Sequence, residues 1–226
     1  MNRVAVFGSS GSLGTAISND FENLGFDSVR LSSGPSSANV VSTLDKNWVE
    51  VVTQPGKLDA AVWAQGFNQS DSINEFSIET FNKHVDANVS YILDSLHKLV
   101  AADAFSSNAR LVVLSSIWQE SSRANKLSYM ISKSALKGLV TSLCLDLGNK
   151  GISVNAVLPG VTDSPMTHRN LSLEQIAHVI EETPLNLLPK IEEVSKTVTW
   201  LASPESSGIN GQFITVDNGW TRYRNV

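Results

Sequence analysis

Short apolar runs rich in β-branched residues alternate along the chain with longer stretches whose apolar positions recur every three or four residues. Positions 3–7, 28–31, 39–41, 59–64, 110–115, 153–158 and 212–216 read as strands, and 13–24, 44–52, 78–101, 129–149, 173–182 and 191–202 as helices. Ser172 and Gln175 have the spacing of a capping box at the start of the fifth helix. Strands that are apolar throughout, each followed by a helix, predict an α/β fold of Rossmann type. This is a doubly wound parallel sheet of about seven strands with helices on both faces. One link breaks the alternation. Only residues 32–38, with Gly34 and Pro35 among them, separate the second strand from the third, so a loop with little helix is expected there.

At 226 residues the chain has the length of one α/β domain, and 1–226 is read as a single unit. A content of 42% hydrophobic and 17% charged residues argues against disorder, and no apolar stretch reaches membrane-spanning length. The net charge is -5 and no Lys or Arg run marks a phosphate-tracking face. Nucleic acid and anionic membrane are therefore not expected as partners, and a small molecule is. The single cysteine, Cys144, lies between Leu143 and Leu145, which suits core packing and a reducing, cytoplasmic setting. The apolar start breaks at Gly8, too soon for a signal peptide. His84, His97, His168 and His178 share no metal-ligand spacing with one another or with Cys144, so they read as exposed or helix-face residues and no metal is expected.

The first strand runs directly into Gly8-Ser9-Ser10-Gly11-Ser12-Leu13-Gly14 and then a helix. There a dinucleotide pyrophosphate would meet backbone N–H groups and the positive end of a helix. Three spaced glycines alone fit an ordinary strand-to-helix turn as well. At the end of the second strand, where a carboxylate would bond the adenosine ribose, stand Ser32 and Ser33. Nothing there repels a 2′-phosphate, so NADP is expected over NAD by a modest margin of about tenfold, ~1.4 kcal/mol.

Tyr129 and Lys133 begin a helical stretch, one turn apart on one face. An ammonium there is expected to lower the phenol from its ordinary value near 10 and make it a usable acid and base. Thirteen residues upstream of Tyr129, the strand through Leu114 ends in Ser115-Ser116, which places a hydroxyl at the carboxyl end of a central strand. Ligands of open α/β sheets bind at those ends.

In order and spacing these residues resemble the short-chain dehydrogenase/reductase family over nearly the whole chain. Ser116 matches its catalytic serine, Tyr129 and Lys133 its Tyr-x-x-x-Lys motif, and Asn88 the helix asparagine that completes a tetrad. Pro159-Gly160-Val161, with Ser164 where a threonine usually stands, resembles the segment bordering the nicotinamide. The stretch 209–220 is similar to the family's last strand and turn. In the glycine turn Gly8 and Gly14 fit while Ser12 replaces the middle glycine, and Gly8, Gly11 and Gly14 together resemble the spacing of the family's extended branch. Trp63-Ala64-Gln65-Gly66 stands where Asn-Asn-Ala-Gly is usual, leaving Ala64, Gln65 and Gly66 to contact cofactor through backbone.

The resemblance implies an NAD(P)-dependent oxidoreductase acting on a small carbonyl or alcohol. Tyr129 would be the general acid and base, Ser116 would orient the substrate oxygen, Lys133 would bind the nicotinamide ribose, and Asn88 would hold a water in a proton relay. It also implies a substrate lid near 164–190. Subunits would pair into a homodimer or homotetramer through helices 78–101 and 129–149, with Leu96, Leu99, Leu139 and Leu143 offering apolar area. Trp118 and Gln119 follow the serine closely enough either to line the pocket or to pack nearby, Trp48 and Trp200 read as core, and Trp220 as a residue able to close the pocket. Two alternatives stand beside this reading: a nucleotide-sugar epimerase or dehydratase, and a cofactor-sensing protein that keeps the fold without turnover.

Overall fold

The computed structural model describes residues 2–35, 37, 39–206 and 208–222; positions 36 and 38 of the expected loop lie outside them. Seven strands form one sheet: β1 (Arg3–Phe7), β2 (Asp27–Ser32), β3 (Val41–Ser42), β4 (Leu58–Trp63), β5 (Phe105–Leu114), β6 (Ser153–Pro159) and β7 (Phe213–Val216). Their order is β3-β2-β1-β4-β5-β6-β7 and every pairing is parallel. The chain winds outward in both directions from β1 and β4, and this reversal opens a crevice at the carboxyl ends of the strands.

The strands are apolar throughout because both faces are covered. Val4, Val6, Ala60, Val62, Val112 and Leu114 pack toward helices α1 (Ser12–Asn23) and α8 (Ile191–Leu201). The alternate residues Ala5, Phe7, Ala61, Trp63, Leu111 and Val113 pack toward α2 (Trp48–Thr53), α4 (Tyr91–Ala101) and α5 (Leu127–Asp146). Phe7 stacks on Trp63 with ring centroids 5.2 Å apart, and Trp48 and Tyr91 meet Phe7 edge-on. Trp63 thus fills the core where the family pattern has a polar residue, and its indole N–H donates to Ser95 Oγ at 2.9 Å.

Several boundaries differ from the sequence expectation. Strand β5 begins at Phe105 rather than 110, with a register shift opposite β4 between Leu58 and Ala60 that absorbs the polar residues between. Strand β3 is Val41–Ser42 rather than 39–41, because Val40 forms an antiparallel bridge with Ser37. Helix α2 starts at Trp48 rather than 44, since Leu44 is 72% exposed and has no face to bury. The helix expected over 78–101 is two, α3 (Ile78–Val85) and α4, joined by a π-turn at Asp86–Ser90. Two helices lie between β6 and α8: α7 (Leu173–Glu181), which carries the expected capping box, and the unforeseen α6 (Pro165–Asn170), capped by Ser164 with Pro165 in its first turn.

Trp48 is core as expected, but Trp200 is 41% exposed, off the stripe of Val194, Val198 and Leu201 that α8 buries. Cys144 is only partly buried. Leu96, Leu99 and Leu139 lie in the protomer's own core with Leu143 packed against them, so they offer no subunit face. Among the described residues no helix is long and apolar enough to cross a membrane.

Candidate active site

The β1–α1 turn is shaped first by close packing. A Cβ on Gly8, whose φ is +76°, would lie 2.5 Å from Gln65 N, and one on Gly14 would lie 2.2 Å from Gly8 O. Ser9 is buried, its hydroxyl and N–H both donating to Leu31 O. Ser9 therefore holds the turn against β2, Gly14 packs within the turn against Gly8, and neither lines the crevice. Gly11 differs: a Cβ there would meet only Gly8 O, at 3.5 Å. It is the N-cap of α1, and no side chain caps the helix. The first N–H groups of α1 are thus left for a partner from outside, in a space that a side chain would narrow.

Gly8, Ser10, Gly11, Ser12 and Leu13 open onto a cavity of about 550 Å³. Ser32 and Ser33 line one end, Tyr129 and Lys133 the other, and Ala64, Gln65 and Gly66 the floor between. No carboxylate lines it among the described residues. Ser32 Oγ accepts the Gly34 N–H at 3.2 Å. Arg30 turns away, its guanidinium donating to Glu22 at 2.9 Å and to Asn19 at 2.6 Å. Both polar atoms of the Gln65 carboxamide are buried without a partner among the described residues, an arrangement that a ligand would complete. An elongated cavity, an uncapped helix N-terminus and an orphaned amide fit a dinucleotide.

At the far end, Ser116 follows β5 and its Oγ accepts the Trp118 N–H at 3.3 Å. The same hydroxyl lies near enough to the Tyr129 phenol to favour its ionised form. Lys133 Nζ lies 5.8 Å from the Tyr129 ring centroid and donates to Leu114 O at 2.9 Å. Burial, opposed only by the Ser116 hydroxyl, pushes Tyr129 up to about 12, and burial pushes Lys133 down to about 8. The expectation that Lys133 lowers the tyrosine is thus corrected for the ligand-free protein. Desolvation dominates both groups, and the ammonium serves the Leu114 carbonyl.

Three buried side chains brace this end. Asn88, re-aimed by the π-turn, accepts from Phe67 N at 2.8 Å and donates to Phe67 O at 3.0 Å and Ser132 Oγ at 2.9 Å. It ties the segment after β4 to α5. His84 is fully buried rather than exposed, bonded to Thr80 O at 2.8 Å and to Gln69 N at 3.2 Å, with its ring between those of Phe67 and Tyr129. Asp71, unremarked in the sequence, accepts the Ser128 N–H at 3.0 Å and the Ser128 hydroxyl. No side chain of α5's own N-cap does this, so a carboxylate from 57 residues upstream stabilises the helix end that carries Tyr129.

A second cavity of about 200 Å³ adjoins the first and shares Tyr129 and Ser164 with it. Ser116, Trp118, Gly160 and Val161 line it, so Gly160 and Val161 face this space and not the larger one. A Cβ on Gly160 would lie 2.7 Å from Asp217 Cβ, which explains that glycine by packing. Gln119 lines neither cavity and accepts the Ser115 hydroxyl at 2.8 Å. Trp220 packs edge-on against Trp118 at 5.4 Å. Helix α6 supplies Met166 to both cavities and Arg169 to the larger, while its His168 is paired with Asp163 at 2.7 Å. Asn68, Ser70, Arg123 and Lys126 also line the second cavity. Sequence reading missed them because isolated polar loop residues look alike whether solvated or convergent. Among the described residues no group of three His, Cys, Asp or Glu could hold a metal.

A family model described as Enoyl-(Acyl carrier protein) reductase matches residues 37–221. The chain is 27% identical to a 3-oxoacyl-[acyl-carrier-protein] reductase of Staphylococcus aureus, over 90% of this chain and 81% of that one. It is 30% identical to glucose 1-dehydrogenase 2 of Bacillus subtilis, over 74% and 66%. Among solved structures, a short chain dehydrogenase family protein from Francisella tularensis superposes with a TM-score of 0.87 at 24% identity, covering 98% of this chain and 99% of that one. Aldohexose dehydrogenase from Thermoplasma acidophilum gives 0.86 at 23%, over 100% and 96%. These two share the fold. With most of its length matched by the family model, the chain belongs to the short-chain dehydrogenase/reductases and is an NAD(P)-dependent oxidoreductase.

Proposed function

We propose that the protein reduces a small carbonyl compound, with NADPH preferred to NADH, and that Tyr129, Ser116, Lys133 and Asn88 form its active site. The observation that carries this reading is the place of Tyr129, which lines both cavities where they adjoin, with Ser116 beside it in the lining of the second. Ser116 orients the substrate oxygen beside the phenol. Tyr129 gives that oxygen its proton, and with its pKa near 12 it keeps the proton to give across the physiological range. Alcohol oxidation reverses the step, with the phenol oxygen taking the proton. The nicotinamide, when bound, supplies the hydride and so the two electrons of the reduction. From its end of the larger cavity Lys133 would bind the nicotinamide ribose. Asn88 fixes the geometry by clamping Phe67 to α5.

Ser10, Gly11, Ser12 and Leu13 would hold the pyrophosphate, Ser32 and Ser33 the adenosine ribose, and Pro159 and Ser164 would border the nicotinamide. Segment 164–190, with Met166 and Arg169 of α6 already over the cavities, would serve as lid. A homodimer or homotetramer through α4 and α5 belongs to the same reading. Its face would be built from the exposed Leu93, Ile131 and Leu145 rather than from the buried leucines. The relatives named as reductases and dehydrogenases support an oxidoreductase over an epimerase or a sensor. Screening carbonyls and alcohols with both cofactors tests the reading, which fails if no substrate turns over or if Tyr129→Phe works normally.

A further inference from the structure

The second cavity carries two cationic side chains, Arg123 and Lys126, in the same lining as the proposed proton donor. Lys126 is only 8% exposed. Its Nζ donates to Asn68 Oδ1 at 2.7 Å and to Ser70 Oγ at 3.2 Å, so one of three ammonium protons is unclaimed. Its backbone is pinned by a bridge to Asp71, with Asp71 N donating to Asn125 O and Leu127 N to Asp71 O. Arg123 lies over the Trp118 ring, 5.7 Å from the centroid, and its guanidinium meets no acceptor oxygen among the described residues.

The two cations are close enough to disfavour each other. Burial first, then Arg123, holds the Lys126 ammonium below its ordinary range, and Asp71 opposes them. That carboxylate is already engaged by both the N–H and the hydroxyl of Ser128. Two partly desolvated like charges are costly to place side by side, and a site that binds an anion gives them a use. A planar guanidinium and a point ammonium together match the oxygens of a carboxylate or a phosphate.

Resting on the reading of Tyr129 and Ser116 as the groups that bind the reacting oxygen, we infer that the substrate is a small oxyanion-bearing carbonyl or alcohol. Its charged end binds Arg123 and Lys126. A cavity of about 200 Å³ suits a short chain, being below the ~300–1,000 Å³ usual for drug-sized ligands.

The test compares matched pairs: acetoacetate with methyl acetoacetate, levulinate with methyl levulinate, and dihydroxyacetone phosphate with dihydroxyacetone. Each is assayed with both cofactors. Wild type should favour the charged member in kcat/KM by about tenfold or more, mainly through KM. The better of the carboxylate and phosphate pairs identifies the oxyanion. Arg123→Gln and Lys126→Met should each collapse the charged-to-neutral ratio toward one. Equal use of both members by wild type, or a loss in the variants that is alike for both, overturns the inference while leaving the oxidoreductase reading intact. Calorimetric titration of the wild type with acetoacetate and with inorganic phosphate separates the two ideas when turnover fails. Binding lost in both variants supports the anion site even if no pair is reduced. Absence of binding by both anions overturns the anion site and leaves the oxidoreductase reading to the wider screen of carbonyls and alcohols.

Discussion

Replacing Lys133 with methionine should stabilise the ligand-free protein while removing its activity. The residue is 4% exposed, and burial lowers its ammonium from the ordinary 10.5 to about 8. A fall of about 2.5 in pKa corresponds to a penalty of about 3 kcal/mol for carrying the charge in the fold at pH 7. Against this stands the hydrogen bond to Leu114 O at 2.9 Å, whose loss leaves a buried acceptor unpaired at a cost of about 1–2 kcal/mol. The net gain of ~1–2 kcal/mol should raise Tm by roughly 2–8 °C for a chain of this size. Because the folded pKa lies below the unfolded one, the unfolded chain binds more protons between about pH 8 and 10.5, and wild-type stability rises through that window. The penalty is complete below pH 8 and gone above 10.5. Thermal melts of both proteins without cofactor, from neutral pH to the upper end of that window, should therefore converge and then cross. A variant that melts below wild type at pH 7, or a difference that stays constant with pH, would refute the reasoning.

Tyr129→Phe should lower turnover by about a hundredfold or more while cofactor affinity, followed by NADPH fluorescence, stays near wild type. In the wild type, alcohol oxidation should quicken as pH rises toward the phenol's value near 12, and a rate flat with pH would count against Tyr129 as the base. Ser32→Asp should turn the expected tenfold NADPH preference, ~1.4 kcal/mol, toward NADH; an unchanged ratio of dissociation constants would remove Ser32 from the ribose. Asp71→Ala leaves the start of α5 without its carboxylate, which should cost about 1–2 kcal/mol, seen as a lower Tm, and should reduce kcat more than it raises KM. An unchanged melt would show that Ser128 finds another partner.

What the sequence made legible follows from the range of the forces involved. Strand β1 is bounded as expected because five buried residues sit between polar ends, whereas β5 hides its start because Ser106, Ser107 and Asn108 interrupt the apolar run. The π-turn is invisible to a search for helical periodicity, since one wide turn barely disturbs the spacing on either side. Tyr129 and Lys133 could be paired from their spacing, but their protonation could not, because the dominant influence is burial by segments distant in sequence. The Asp71–Ser128 contact spans 57 residues and is carried by common residue types, so no local pattern announces it.

The braces around Tyr129 reach α5 from the chain that follows β4 and from α3. Asn88 fastens Phe67 to Ser132, His84 packs between Phe67 and the tyrosine ring, and Asp71 holds the helix start. The same loop carries Asn68 and Ser70, the two acceptors that fix Lys126. One stretch of chain, 66–71, thus lines the larger cavity through Gly66, holds the helix start beside Tyr129 through Asp71 and Ser128, and holds Lys126 through Asn68 and Ser70. Because Gln65 and Gly66 open that stretch against the larger cavity, a ligand that engages the unpartnered Gln65 carboxamide would bear on the segment that positions both Tyr129 and Lys126. On the proposed reading, cofactor binding would therefore bear on the placement of the substrate's charged end through that stretch.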